Sequence, residues 1–191
     1  MKKRILILAV CLTALRLDAR EVSILVYPFE NTGDPYFNWV SAGMTATAVS
    51  DLARVRDISV ISEQDRKKAL KELESAQSGL FGPEKQLQLA KLLGADLIFT
   101  GNYLVINGQI RVNAHIMNVQ SAKTENARKF DGTLLKIFEL QDQIVIGLLT
   151  DSQKITIANL TPVQVTEQFR QQIENKPAVD PRAFELYSRA R

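Results

Sequence analysis

The stretch VSILVYPFENTGDPYFNWVSAGM, Val22 to Met44, decides how the chain is read. Its opening, Val22 to Phe29, is apolar and β-branched with Pro28 near its end, which predicts a buried strand running into a loop. Asn31 to Pro35 (NTGDP) is turn chemistry. Asp34 suits the cap of a following helix, and Pro35 suits its first turn. Phe37, Val40, Met44, Ala48 and Leu52 then recur at steps of three and four, the stripe of an amphipathic helix. A strand, a glycine-bearing loop and a helix start is also where many α/β proteins hold a phosphate. Here the loop has one glycine, Gly33, where the dinucleotide fingerprint needs three, and no G-x-x-x-x-G-K-[ST] motif occurs. Asp34 also places a carboxylate where a phosphate would sit. The loop is therefore read as structural.

Outward from this stretch the pattern continues. Ile58 to Ser62 predicts a second strand, and Ser62 with Asp65 resembles a capping box for a helix striped by Ala69, Leu70, Leu73 and Ala76. Gln77 to Gly82 reads as a loop. Pro83 opens a helix with Leu87, Ala90 and Leu93 inward, closed by Gly94. Asp96 to Ile106 predicts a strand bent or bulged at Gly101. Asn107-Gly108 is a hairpin turn. Gln109 to Val119 returns with Ile110, Val112, Ala114 and Ile116 on one face and Arg111, Asn113, His115 and Met117 on the other. Glu125 to Leu134 predicts a third antiparallel strand, and Ile137, Leu140, Ile144 and Leu148 mark a helix. The order β-α-β-α-α-β-β-β-α predicts an α/β (α+β) domain: one mixed sheet in a three-layer arrangement, with crossover helices, then an antiparallel meander and a C-terminal helix.

The ends differ in character. Met1-Lys2-Lys3-Arg4, the apolar run Ile5 to Leu15 and Ala19 follow the order of a secretory leader cleaved before Arg20. The division is then a signal peptide, 1–19; an α/β domain, 20–150; and a C-terminal extension or linker with helical segments, 151–191. In that extension Ile155 to Ala158 suits an edge strand, Thr161 to Lys176 is helix-compatible, and Arg182 to Arg191 begins a helix. The 191 residues carry 24 basic and 21 acidic side chains, net +3. Residues 1–19 hold Lys2, Lys3, Arg4 and Arg16 against Asp18, so the remainder is neutral, with 20 of each. That removes a general electrostatic case for nucleic acid. The single cysteine, Cys11, falls inside the leader, which leaves no disulfide, thiolate or cysteine metal site after cleavage. Val10 before it disfavours lipid attachment there.

No catalytic constellation emerges. His115 is the only histidine and reads as a polar strand residue. Asp51 with Asp57, and Glu139 with Asp142, are carboxylate pairs without an apolar setting to split their pKa values. Glu72 and Glu74 beside Lys67, Lys68 and Lys71 make a solvated helix face. The aromatic residues around the opening loop are the stronger signal. Tyr27, Phe29, Asn31, Tyr36 and Trp39 are the candidate partner-binding residues, with Tyr36 and Trp39 flanking the buried stripe. No catalytic residue, cofactor or metal ligand is assigned.

A resemblance adds to this reading. Ile24-Leu-Val-Tyr-Pro-Phe-Glu-Asn31, Gly33-Asp-Pro35 and the helix with Gly43-Met44 resemble the N-terminal α/β domain of TolB and its relatives. Leu93-Gly-Ala-Asp-Leu-Ile-Phe-Thr-Gly101 is similar to the matching strand of that superfamily, and Gly132 and Phe138-Glu-Leu-Gln-Asp142 follow in its order. The superfamily includes the CsgG-type curli secretion component and envelope lipoproteins, and Val179 to Arg191 resembles the lead-in to tetratricopeptide repeats. The resemblance implies a non-enzymatic protein-interaction domain of the periplasm or outer membrane, with envelope proteins as partners and peripheral association with the outer membrane. A CsgG-like subunit of an outer-membrane secretion complex is the alternative it implies.

Overall fold

The computed structural model describes residues 21–76, 82–150, 171 and 180–190. The expected leader at 1–19, most of the loop after Ala76, the expected strand at Ile155–Ala158 and the helix-compatible Thr161–Lys176 lie outside the described residues, apart from Gln171. The strands are β1 Val22–Val26, β2 Glu30–Asn31, β3 Ile58–Val60, β4 Leu97–Ile106, β5 Gln109–Asn118 and β6 Lys123–Thr133. The helices are α1 Trp39–Leu52, α2 Glu63–Ala76, α3 Gly82–Leu92, α4 Ile137–Thr150 and α5 Pro181–Arg189, with short 3-10 turns at Pro35–Phe37 and Leu134–Lys136.

One mixed sheet runs β3-β1-β4-β5-β6, and β2 pairs separately with β4. β1 is parallel to both β3 and β4, while β4, β5 and β6 form the antiparallel meander. The expected α/β fold with a mixed sheet is the observed one. Two cores separate the layers. On one face α1 and α4 bury Val40, Met44, Leu52, Ile137, Ile144 and Leu148 against Ile24, Phe99, Val112 and Ile116. On the other, α2 and α3 bury Ala69, Leu73, Leu89 and Ala90 against Leu25 and Ile98. Those helices cover the parallel strands and reach β5 at Met117, so much of the second face of the meander, with Arg111 and Asn113, is exposed, as one-sided burial of an antiparallel sheet allows.

Local chemistry sets several boundaries. Ser62 caps α2 as expected: its hydroxyl accepts from the Asp65 N–H and donates to the Asp65 carboxylate. Gly94 (φ +66°) and Asn107-Gly108 (φ +51° and +75°) take the left-handed conformations that a helix stop and a hairpin turn need. Two expectations shift. Asp34 caps the 3-10 turn, accepting from the Tyr36 N–H at 2.8 Å, and α1 begins later, at Trp39. Gly101 lies in an unbroken β4–β5 register, and the irregularity lies instead opposite Ile116 and Met117, in the pairing with β6. Gly101 answers to close packing, since a Cβ there would run into the Asn113 carbonyl and the Phe29 ring.

The loop after β1 is held to β4 by Tyr103, which is fully buried. Its carbonyl accepts from the Thr32 N–H and hydroxyl. Its phenol donates to the Phe37 carbonyl at 2.9 Å and accepts from the Ser41 N–H at 3.2 Å. Burial pushes that phenol up to about 12, so it remains a donor throughout the neutral range.

Gln141 of α4 is buried, and among the described residues neither its oxygen nor its nitrogen has a partner. It faces a small apolar cavity of about 10 Å³ beside Phe29, Met44 and Ile144. An unpaired buried amide destabilises a fold, so Gln141→Leu is expected to raise the unfolding free energy by about 1–3 kcal/mol. Urea unfolding measures this directly, and a loss of stability would show that the amide is bonded in solution.

Candidate functional site

The opening loop closes on itself. The Asn31 amide donates to the Asp34 carbonyl (2.8 Å) and to Asn38 Oδ1 (2.7 Å), and its oxygen accepts from the Gly33 N–H (2.9 Å). Ser41 Oγ donates to the Phe29 carbonyl at 2.6 Å. The donors of Gly33 and Tyr36, which a phosphate would use, are thus taken by the loop's own oxygens.

The candidate residues separate by burial. Phe29 packs edge-on to Phe99 in the core. Trp39 is buried as well, and Tyr27 is half-buried beside the α2–α3 core. Asn31 serves the loop. Tyr36 is 59% exposed, so of the two aromatics flanking the stripe it is the one that reaches the surface. The structure does not gather the five into one exposed patch.

It places α5 beside Tyr36 instead. Asp180 caps α5 by accepting from the Arg182 N–H at 2.8 Å. Phe184 and Ser188 face α1 at Gly43, where the three atoms nearest to an added Cβ all belong to those two α5 side chains. The Phe184 ring makes edge contacts with Trp39 (6.1 Å) and Phe138 (4.8 Å). At the rim, the Arg189 guanidinium lies 4.5 Å from the Tyr36 ring centre, donates to the Tyr36 carbonyl at 3.1 Å and pairs with Glu185 at 2.9 Å. Trp39 Nε1 and Ser188 Oγ, both at this contact, are buried without a partner among the described residues. The seat combines an apolar anchor with incomplete polar satisfaction.

Large hydrophobic side chains are exposed on and beside α5. Among the described residues the exposed large hydrophobic side chains are Tyr36, Leu92, Ile106, Leu135, Leu186 and Tyr187. Leu186 and Tyr187 belong to α5, and Tyr36 and Leu135 belong to the two 3-10 turns that flank it. Spacing alone could not reveal this grouping, because it depends on where α5 docks.

The outer side of the meander is the second exposed feature. Arg111 pairs with Asp131 at 2.6 Å, and Asn113 donates to Asn102 at 2.8 Å. An open trough of about 500 Å³ runs over Leu104, Ile106, Arg111 and Asp131. His115 lies on this side, as strand alternation predicts. Burial holds its pKa below the ordinary value, so it is neutral at pH 7. Among the described residues no three His, Cys, Asp or Glu side chains come together to hold a metal ion. None of their helices is long and apolar enough to cross a membrane.

No protein-family model matches the chain. The C-terminal domain of LpoB from Salmonella enterica superposes with a TM-score of 0.52 at 20% identity, over 60% of this chain and 84% of that one. The Escherichia coli domain gives 0.50 at 21% identity, with the same coverage. The chain has the LpoB C-terminal domain fold. A protein of Rhizobium meliloti (strain 1021) named "Putative adenylate cyclase 3" is 26% identical over 171 residues, 88% of this chain. The chain spans about a quarter (26%) of that relative's length.

The α5 seat has a sharp test in Gly43→Ala. Alanine favours an α-helix interior over glycine by about 1 kcal/mol, and the three nearest atoms in its way belong to α5. The expected outcome is release of α5, seen as fast amide exchange over residues 180–190, with exchange in β4 and β5 unchanged. Slow exchange over 180–190 in the variant would contradict the seat.

Proposed function

We propose that the chain is a non-catalytic domain, exported to the cell envelope, that binds a partner protein on the surface around α5. The observation that carries this is the collection of Tyr36, Leu135, Leu186 and Tyr187 about one helix. Exposed aromatic and aliphatic side chains grouped in this way are the usual anchors of protein interfaces. Tyr36 is the residue through which the expected aromatic partner site joins this surface. Export is supported by the leader-like order of residues 1–19 and by the resemblance to TolB-type envelope domains. Peripheral association with the outer membrane belongs to the same reading, whereas lipid attachment at Cys11 does not, because Val10 precedes that cysteine and cleavage before Arg20 removes it. The match to part of a protein named as an adenylate cyclase is read here as a shared binding module.

Photo-crosslinking in intact cells tests this. A crosslinking amino acid at Leu186, Leu135 or Tyr36 is expected to trap one discrete envelope protein, while the same group at Lys129, on the meander, does not. Leu186→Glu is expected to weaken that capture by roughly tenfold or more. The purified chain is expected to form no cyclic AMP from ATP. Adducts at Lys129 alone, retention in the cytosol with residues 1–19 intact, or cyclase turnover would each overturn the proposal.

A further inference from the structure

The parallel half of the sheet has a topological switch. β1 is followed by α1 on one face, and its neighbour β3 is followed by α2 on the other. In open α/β sheets the carboxyl ends of two such strands part to leave a crevice, and ligands bind there. This chain has one. A cavity of about 190 Å³ lies between Val26 at the end of β1, Ile61 just past β3, Ala46 and Val49 of α1, and the first turns of α2.

The wall is mixed: Val26, Ala42, Ala46, Val49 and Ile61 are apolar, Thr45, Ser50 and Glu63 are polar, and the positive charge comes from Arg66. It continues the inward stripe of α2 one turn before Ala69 and Leu73, and is only 9% exposed. Among the described residues its guanidinium has one ion contact, Glu63, at the long distance of 4.0 Å. The Glu63 carboxylate sits much closer to Lys67, at 2.7 Å. The other carboxylate of this turn, Asp65, accepts from Ser62. Thr45 also lines the cavity, but its hydroxyl donates to the Ser41 carbonyl, so it offers no proton. Arginine carries five N–H donors in a fixed fork that matches a carboxylate. A buried guanidinium without a close anion is costly, and here it faces a space that an anion would fill.

We infer that this crevice binds a small carboxylate with an apolar body. The carboxylate meets Arg66, and the alkyl part rests on Val26, Val49 and Ile61. The volume corresponds to about six water volumes, which suits a branched acid the size of isovalerate or the last residue of a peptide chain. The site is separate from the α5 surface and does not depend on it.

The test is an NMR titration of the full chain with isovalerate, acetyl-alanyl-valine and inorganic phosphate. Isovalerate is expected to shift the Arg66 Nε–H and Val49 methyl signals saturably below about 10 mM. Tighter binding of the dipeptide would assign the source to a peptide terminus, and equal or weaker binding to a free acid. Arg66→Met is expected to weaken binding roughly tenfold or more. Ala46→Leu fills the cavity while keeping the charge, so it is expected to abolish binding even if the arginine variant does not fold. No saturable shift, phosphate binding as tight as isovalerate, or wild-type binding by Ala46→Leu would overturn the site.

Discussion

The buried phenol of Tyr103 is the constraint on which the rest of the structure depends. It stands on the central strand β4 and is bonded to both ends of the link between the 3-10 turn and α1: the Phe37 carbonyl and the Ser41 N–H. Its carbonyl fixes Thr32 in the same loop. Pro28 breaks the line of β1, so this loop cannot continue as regular sheet, and β2 contributes only two residues of pairing. Without the Tyr103 bonds the chain between Pro28 and Trp39 would lack a fixed path onto the core. With them, the start and rotation of α1 are set.

α1 is then a shared platform. One side, with Val40, Met44 and Leu52, packs on the sheet. A second, at Trp39 and Gly43, receives Phe184 of α5. A third, with Ala46 and Val49, walls the crevice in which Arg66 is buried. Rotation of this helix by one residue would misplace all three, because positions one apart lie about 100° from each other on a helix. The α5 surface and the carboxylate crevice are thus positioned by the same element, although they share no residue.

Much of the fold was legible because its signals are local. The hairpin at Asn107-Gly108, the stop at Gly94, the Ser62 cap and the alternation of Ile110 to Ile116 each follow from a few neighbouring residues, and each takes its expected place. What was not legible is long-range. β2 exists only because β4 lies beside it. The burial of Trp39 comes from Phe184, about 145 residues away in sequence, so the helical stripe alone left it beside Tyr36 as a surface candidate. Arg66 was within reach: extending the stripe of Ala69 and Leu73 back by one turn lands on it, but a charged residue at that position reads as solvated until the crevice is seen. Asp34 capped the nearer 3-10 turn because a proline one residue on begins either kind of helix equally well.

The most direct measurement is hydrogen exchange on Tyr103→Phe, which removes a single hydroxyl and leaves the ring in the core. Loss of the two bonds is expected to cost about 1–3 kcal/mol. It should speed exchange over residues 38–44 at the start of α1 and over 180–190 in α5, while the β4–β5 ladder keeps its protection. Uniform loss of protection, or none at residues 38–44 and 180–190, would contradict the role of Tyr103 as the clamp that sets α1 and the surfaces built on it.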